Sequence, residues 1–151
     1  MPGLIADNKN APLTPKQGES LLKHPKENWK EVYKNWLLNK IQNIKTKTGE
    51  TVSADESTFN HILENDNGEA SWRFRTMPLV LQTLEDAEEV WQGYKGNNVH
   101  ISVLTVKNKP HFVVAVTKGK RIITFYTEKN DIKNMEKYRN GKLVYKEKGS
   151  K

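Results

Sequence analysis

The sequence predicts an α+β fold, with N-terminal helices packed on one face of an antiparallel sheet of about four to five strands. Three observations predict it. Apolar residues recur at helical spacing only in the first half of the chain. From Val90 onward the period shortens to that of strands, in runs rich in valine, isoleucine and aromatics. The links between those runs are too short for parallel crossovers, so neighbouring strands form hairpins.

The elements follow in order. Residues 1–20 hold three prolines, two glycines and mainly polar side chains, which predicts a flexible leader or linker. Residues 21–151 then form a single domain. In Lys26–Lys45, the residues Trp29, Val32, Tyr33, Trp36, Leu37, Ile41 and Ile44 make an amphipathic stripe, with Pro25 suited to the first turn. A second helix starts at Ser53-Ala54-Asp55-Glu56, read as a capping box between the serine and the glutamate. Phe59, Ile62 and Leu63 form its buried face, and His61 lies roughly 200° from Phe59. A short helix follows near Met77–Leu84 with Pro78 in its first turn.

Strands are predicted at Val90–Tyr94, Val99–Val106, His111–Thr117 and Arg121–Thr127. Asn97-Asn98, Asn108-Lys109-Pro110 and Lys118-Gly119-Lys120 supply the turns between them. A helix over Asp131–Tyr138, stopped by Asn140-Gly141, and a last strand at Leu143–Lys146 complete the chain. Helices first and a meander afterwards define the class.

Composition narrows the function. The chain has 151 residues, no cysteine and a formal charge of +7. Disulfides and thiolate metal sites are therefore excluded. No run of about 18 apolar residues is present, so no spanning helix is expected, and the N-terminus lacks a signal-peptide pattern. Residues 107–151 carry 13 Lys and Arg against 4 Asp and Glu. That imbalance suits a polyanionic partner or a solubilising lysine surface.

From residue 48 to residue 94 there is no lysine, and the fixed cations are Arg73 and Arg75 among ten acidic side chains. Arginine where lysine is avoided points to a need for a planar, permanently charged fork, as in phosphate recognition. If Trp72-Arg73-Phe74-Arg75 is extended, both guanidinium groups share one face and can stabilise a pentacovalent phosphorane. The competing reading is that they neutralise Glu64, Asp66, Glu69 or Asp86. His61, off the apolar stripe, is the candidate proton-transfer group, against the plain reading of a solvent-exposed helix histidine.

Alternation in Arg121–Thr127 sets Thr124 and Tyr126 side by side, a hydroxyl for phosphate oxygens and a ring for a base, or simply residues of high strand propensity. Thr127, Lys118, Lys120 and Arg121 are further substrate-binding candidates, the last three at a turn that is equally read as a solvated hairpin tip. His100 and His111 are placed to approach each other across neighbouring strands, a pairing that is more often structural. No metal-ligand spacing, P-loop, dinucleotide glycine pattern or nucleophile elbow occurs, so neither metal nor cofactor is expected.

Taken in order, Phe59-Asn60-His61-Ile62-Leu63, Arg75, Met77-Pro78-Leu79-Val80-Leu81, Glu88-Glu89-Val90-Trp91 and Ile122-Ile123-Thr124-Phe125-Tyr126 resemble the phage-type branch of the barnase/EndoU/colicin/RelE-like nuclease superfamily. The likeness covers roughly residues 53–127. Asp86-Ala87 stands where the family often has proline. The resemblance implies helices on one face of the sheet and a catalytic cleft on the other. It carries roles onto His61, onto Arg75 or Arg73, and onto a hydroxyl in residues 124–127, with Arg75 and Thr124 favoured. Such domains end phage head-associated proteins and polymorphic or contact-dependent toxins.

The function expected is therefore metal-independent endoribonuclease activity. The ribose 2′-hydroxyl attacks the adjacent phosphorus and leaves a 2′,3′-cyclic phosphate, with transfer RNA a family-based target. A toxin of this kind acts after delivery into a target bacterium and requires an immunity protein, expected to be acidic. The alternatives are a non-catalytic nucleic-acid-binding domain and a phage structural domain on the same fold. Mono-ADP-ribosyltransfer is a weaker rival without a recognisable NAD-binding arrangement.

Overall fold

The structure, a computed structural model, describes residues 13–65, 68, 70–129 and 136–147. Strand β1 (Lys16–Gln17) comes first, then helix α1 (Trp29–Lys40) and the small hairpin of β2 (Ile44–Lys45) and β3 (Thr51–Val52). Helices α2 (Glu56–Glu64), α3 (Ala70–Arg75) and α4 (Met77–Asp86) follow. Strands β4 (Glu89–Gly93), β5 (Asn98–Val106), β6 (Lys109–Lys118), β7 (Arg121–Lys129) and β8 (Gly141–Lys146) build the main sheet, with a 3₁₀ turn at Tyr94–Gly96.

The sheet runs β7-β6-β5-β4-β8, all antiparallel, and β1 joins it parallel to β5 at Leu104 and Thr105, beyond the end of β4. The α+β class and the helix-on-sheet arrangement are as predicted. The sixth strand is β1, too short to show any alternation in sequence. Residues 1–12 of the predicted leader lie outside the described residues. Within the rest of it, Leu13 is buried and Gly18 donates its N–H to the Thr105 carbonyl. The helix predicted over Asp131–Tyr138 falls largely outside the described residues as well.

Local boundaries moved for identifiable reasons. Helix α1 begins after Asn28, which has a left-handed φ of 55°, so Pro25 precedes the helix instead of opening it. It ends at Lys40, because Asn43 turns left-handed and Ile44 pairs with Val52 across the small hairpin. Its buried face is Tyr33, Leu37 and Ile41, while Val32, read as part of the stripe, is 46% exposed.

The cap of α2 is Asp55, not Ser53. Asp55 accepts from the Thr58 N–H at 2.9 Å and Thr58 returns the bond to the Asp55 N–H at 3.2 Å. Ser53 is used elsewhere: its hydroxyl caps the Asn43 N–H, and its backbone bridges to β7. Both residues can cap. The strand bridge decides between them.

Both faces of the sheet bury apolar side chains. On the helix side, Tyr33, Leu37, Phe59, Ile62, Phe74, Leu79 and Leu84 meet Leu104, Val113, Ala115, Ile122 and Phe125. Phe59 stacks on Phe74 at 4.7 Å, and Phe74 meets Phe125 edge-on at 6.3 Å. On the second face Trp91, Val99, Ile101, Val103, Phe112, Val114 and Val116 gather with Leu13 and Tyr138. The near-continuous apolar runs of β5 and β6 reflect this double burial. Strand β7 lies at one edge and β8 at the other, and Tyr138, shortly before β8, packs on the second face.

Candidate active site and nucleic-acid interface

The segment Trp72-Arg73-Phe74-Arg75 is helical, as part of α3, not extended. Two residues apart on a helix point in nearly opposite directions, so the arginines separate. Phe74 enters the core, where an extended segment would have turned both arginines to one side. Arg75 turns to the N-terminal segment: its Nε donates to the Leu22 carbonyl at 3.0 Å, and Leu22 N–H donates back to the Arg75 carbonyl.

Arg73 reaches the free edge of β7. Its Nε and Nη2 donate to the Phe125 carbonyl at 3.0 and 2.8 Å, and Nη2 also meets the Thr124 hydroxyl at 2.7 Å. Its guanidinium lies 4.5 Å from the centre of the Tyr126 ring. Only 9% of the residue is exposed. An edge strand presents unpaired carbonyls, and a planar fork satisfies several at once. The same edge is served by Trp72 Nε1 on the Thr127 carbonyl at 3.0 Å and by the Thr58 hydroxyl on the Ile122 carbonyl at 2.6 Å. Helices α2 and α3 thus close the edge.

The sequence-selected residues divide accordingly. Arg73, Thr124 and Tyr126 are brought together, and cross-strand pairing with Val116 and Val114 sets Thr124 and Tyr126 on the second face. Thr127 pairs with Val113 on the helix side, and its hydroxyl is buried with no hydrogen-bond partner among the described residues. His61 is exposed on α2, with its Nδ1 3.5 Å from the Asn65 amide. Lys118 and Lys120 are exposed at the β6–β7 hairpin tip. Arg121 is committed to α2 through Asp55, at 3.4 Å, and the Ser57 hydroxyl.

The other histidines differ in environment. His100 is fully buried, and burial pushes its pKa down to about 4, so it is neutral near pH 7. Its Nε2 lies 2.9 Å from the Thr117 hydroxyl and its Nδ1 has no partner among the described residues. It pairs with Ala115, whereas His111 pairs with Leu104, so the two do not meet as predicted. His111 lies instead beside Trp72, with ring centres 5.7 Å apart.

Sequence reading gave no role to several buried polar residues, including Glu88 and Glu89, which it quoted only within a motif. Glu89 is buried and saturated: Trp91 Nε1 and Arg139 Nε donate to one oxygen at 2.9 and 2.8 Å, Arg139 Nη2 to the other at 3.0 Å, with Lys146 at 3.4 Å. The signal for Arg139 was present, since it is an arginine in a lysine-rich tail. Glu88 is also buried. It accepts the Val103 N–H at 3.0 Å, in the gap between the end of β4 and β1, and burial raises its pKa to about 7. Tyr138 contacts Tyr126 and Tyr94, and burial pushes its phenol well above the ordinary value.

Chemically, the β7 edge offers a fixed cation, a hydroxyl and an aromatic ring within contact of one another. Among the described residues no three histidine or acidic side chains gather to hold a metal, and no helix is long and apolar enough to cross a membrane. Searches of curated proteins and of solved structures gave no match. The family described as phage-Barnase-EndoU-ColicinE5/D-RelE like nuclease2 matches residues 28–146, from α1 through β8. Helices closing the edge of an antiparallel sheet and a match over most of the chain lead to one assignment: the protein belongs to this nuclease family.

Proposed function

We propose that the protein is an endoribonuclease that cleaves RNA by transesterification. The observation that carries this reading is the nuclease-family match, which spans every residue given a role here. A base removes the proton of a ribose 2′-hydroxyl, and that oxygen bonds to the adjacent phosphorus. The bond to the 5′-oxygen breaks, an acid protonates the leaving oxygen, and a 2′,3′-cyclic phosphate remains. The nucleophile belongs to the substrate, so positioning and charge stabilisation supply most of the rate.

His61, with its imidazole open to solvent, is assigned one proton transfer. Arg75 uses Nε on Leu22, and its terminal nitrogens have no partner among the described residues; it is assigned to phosphate. Arg73 is assigned a positioning role, because its fork is spent on Thr124 and Phe125. Thr124 orients phosphate or ribose, Tyr126 borders the bound RNA, and Lys118, Lys120 and Arg121 guide its backbone. Thr127, expected as a substrate-binding residue, is buried on the opposite, helix side of the sheet and is left out of the site.

As a toxin domain of a bacterium or phage, it would act in the cytoplasm of a target cell on transfer RNA, and an acidic immunity protein would cover the site. Incubation with total RNA in chelator tests the reading: ends bearing 2′,3′-cyclic phosphate, and DNA left intact, are the expected result. Salt-sensitive binding without cleavage would support a non-catalytic RNA-binding domain instead, a reading favoured by the burial of Arg73.

A further inference from the structure

On the second face, aromatic rings and cations form a row that crosses the sheet. It starts at Arg73, whose guanidinium lies 4.5 Å from the Tyr126 ring centre. Tyr138 follows at 5.6 Å from Tyr126, and Tyr94 at 5.3 Å from Tyr138. The exposed Lys95 and Lys137 ammonium groups lie over Tyr94 and Tyr138, at 5.4 and 5.0 Å.

The row is assembled from four separate parts of the chain: α3, β7, the 3₁₀ turn after β4, and the segment leading to β8. Tyr138 is buried at its centre, while Tyr94 and Tyr126 are half-buried and keep part of their rings in solvent. Apolar packing alone does not call for lysines over two of the three rings. Duplex RNA hides its bases and is recognised through phosphates and 2′-hydroxyls, whereas unpaired bases stack on aromatic side chains. A line of rings bordered by ammonium groups matches the second case.

We infer that the row formed by Tyr126, Tyr138 and Tyr94, flanked by Lys95 and Lys137, is a binding track for unpaired RNA. The inference takes its substrate from the ribonuclease reading above and specifies it as single-stranded. Bases lie on the solvent-facing parts of Tyr94 and Tyr126, and the intervening phosphates meet Lys95 and Lys137. Tyr138 supports both outer rings from below, and Arg73 holds Tyr126 from the β7 edge. Glu128 shares this face at the Tyr126 end, and its carboxylate keeps phosphate away from that end.

The test uses a fluorescent 2′-O-methyl oligonucleotide, which lacks the nucleophile and so reports binding whether or not the protein cleaves. The full chain is expected to bind the single strand at least about tenfold more tightly than the same sequence annealed to its complement. Tyr94→Ala, at a half-buried turn residue, is expected to weaken single-strand binding about tenfold in a chain that still unfolds cooperatively. Lys95→Ala combined with Lys137→Ala is expected to flatten the salt dependence.

Equal affinity for single strand and duplex would overturn the inference. So would undiminished binding by folded Tyr94→Ala, or competition by polyglutamate as effective as competition by RNA. Single-strand binding lost in Tyr94→Ala, alongside intact total RNA, would uphold the track and reject only the cleavage reading.

Discussion

The Arg73 guanidinium bonds the hydroxyl of Thr124 at 2.7 Å while the same nitrogen holds the Phe125 carbonyl at 2.8 Å. One side chain therefore fixes both a backbone edge and a candidate substrate-binding hydroxyl. Lysine has a single ammonium and cannot reproduce the planar pair of bonds. Arg73→Lys is expected to destabilise the protein by about 2–4 kcal/mol, since hydrogen bonds from charged groups contribute about 1.5–3 kcal/mol each. Urea unfolding measures it, and a loss under 1 kcal/mol, on the order of one ordinary hydrogen bond, would show the edge does not need the fork.

His61→Ala is expected to leave stability within about 0.5 kcal/mol of the parent, because the side chain is exposed and off the core. Cleavage of RNA should fall by roughly 10²–10⁴-fold if the imidazole transfers a proton. Single-turnover rates on a defined RNA decide it. Full activity in the folded variant removes His61 from the reaction.

Glu89→Ala is expected to cost about 3–5 kcal/mol, because it strands the buried guanidinium of Arg139 without its carboxylate. Replacing both, as Glu89→Met with Arg139→Met, should recover most of that loss, since neither charge then needs compensation. Thermal melts of the two variants make the comparison. Equal destabilisation would mean that the pair does more than cancel its own burial cost.

Glu88 and His100 oppose each other in pH dependence. Burial raises Glu88 from 4.5 to about 7, so the folded state holds a proton that the unfolded state releases, and stability falls as pH rises through that window. Burial lowers His100 from 6.5 to about 4, so the unfolded state binds the extra proton, and stability rises over nearly the same range. Each effect is on the order of 3 kcal/mol at most. Glu88→Gln removes the first and leaves the second. Its stability relative to the parent should therefore grow as pH is raised from 4.5 to 7, read by urea titration at each pH; a constant difference would place the Glu88 carboxylate in water.

The strands were legible because alternation and turn residues agree locally. Lys118-Gly119-Lys120 closes the β6–β7 hairpin as predicted, with an irregularity in the pairing between Val116 and Thr117, and Gly119 takes the left-handed conformation that the turn requires. Thr124 and Tyr126 were placed correctly with respect to each other by the same period. Arg73 was not, because a six-residue helix leaves too few turns to show periodicity, and a Trp-Arg-Phe-Arg run alternates as well as any strand. Glu88 and Glu89, quoted only within a motif, and Arg139 received no role because their meaning depends on which strand lies beside which. Arg139 carried a signal of its own, in being an arginine among lysines.

The placement of β7 and β8 at opposite edges of the sheet has a kinetic corollary. Strand β8 cannot zip up as a hairpin with its predecessor; its partner β4 lies at the far side of the sheet, nearly fifty residues back along the chain. Translation delivers β8 after everything it must pair with. Until it arrives, the outer rim of β4 stands bare and can recruit a foreign strand, so the nascent protein is most prone to aggregate just before its last strand docks.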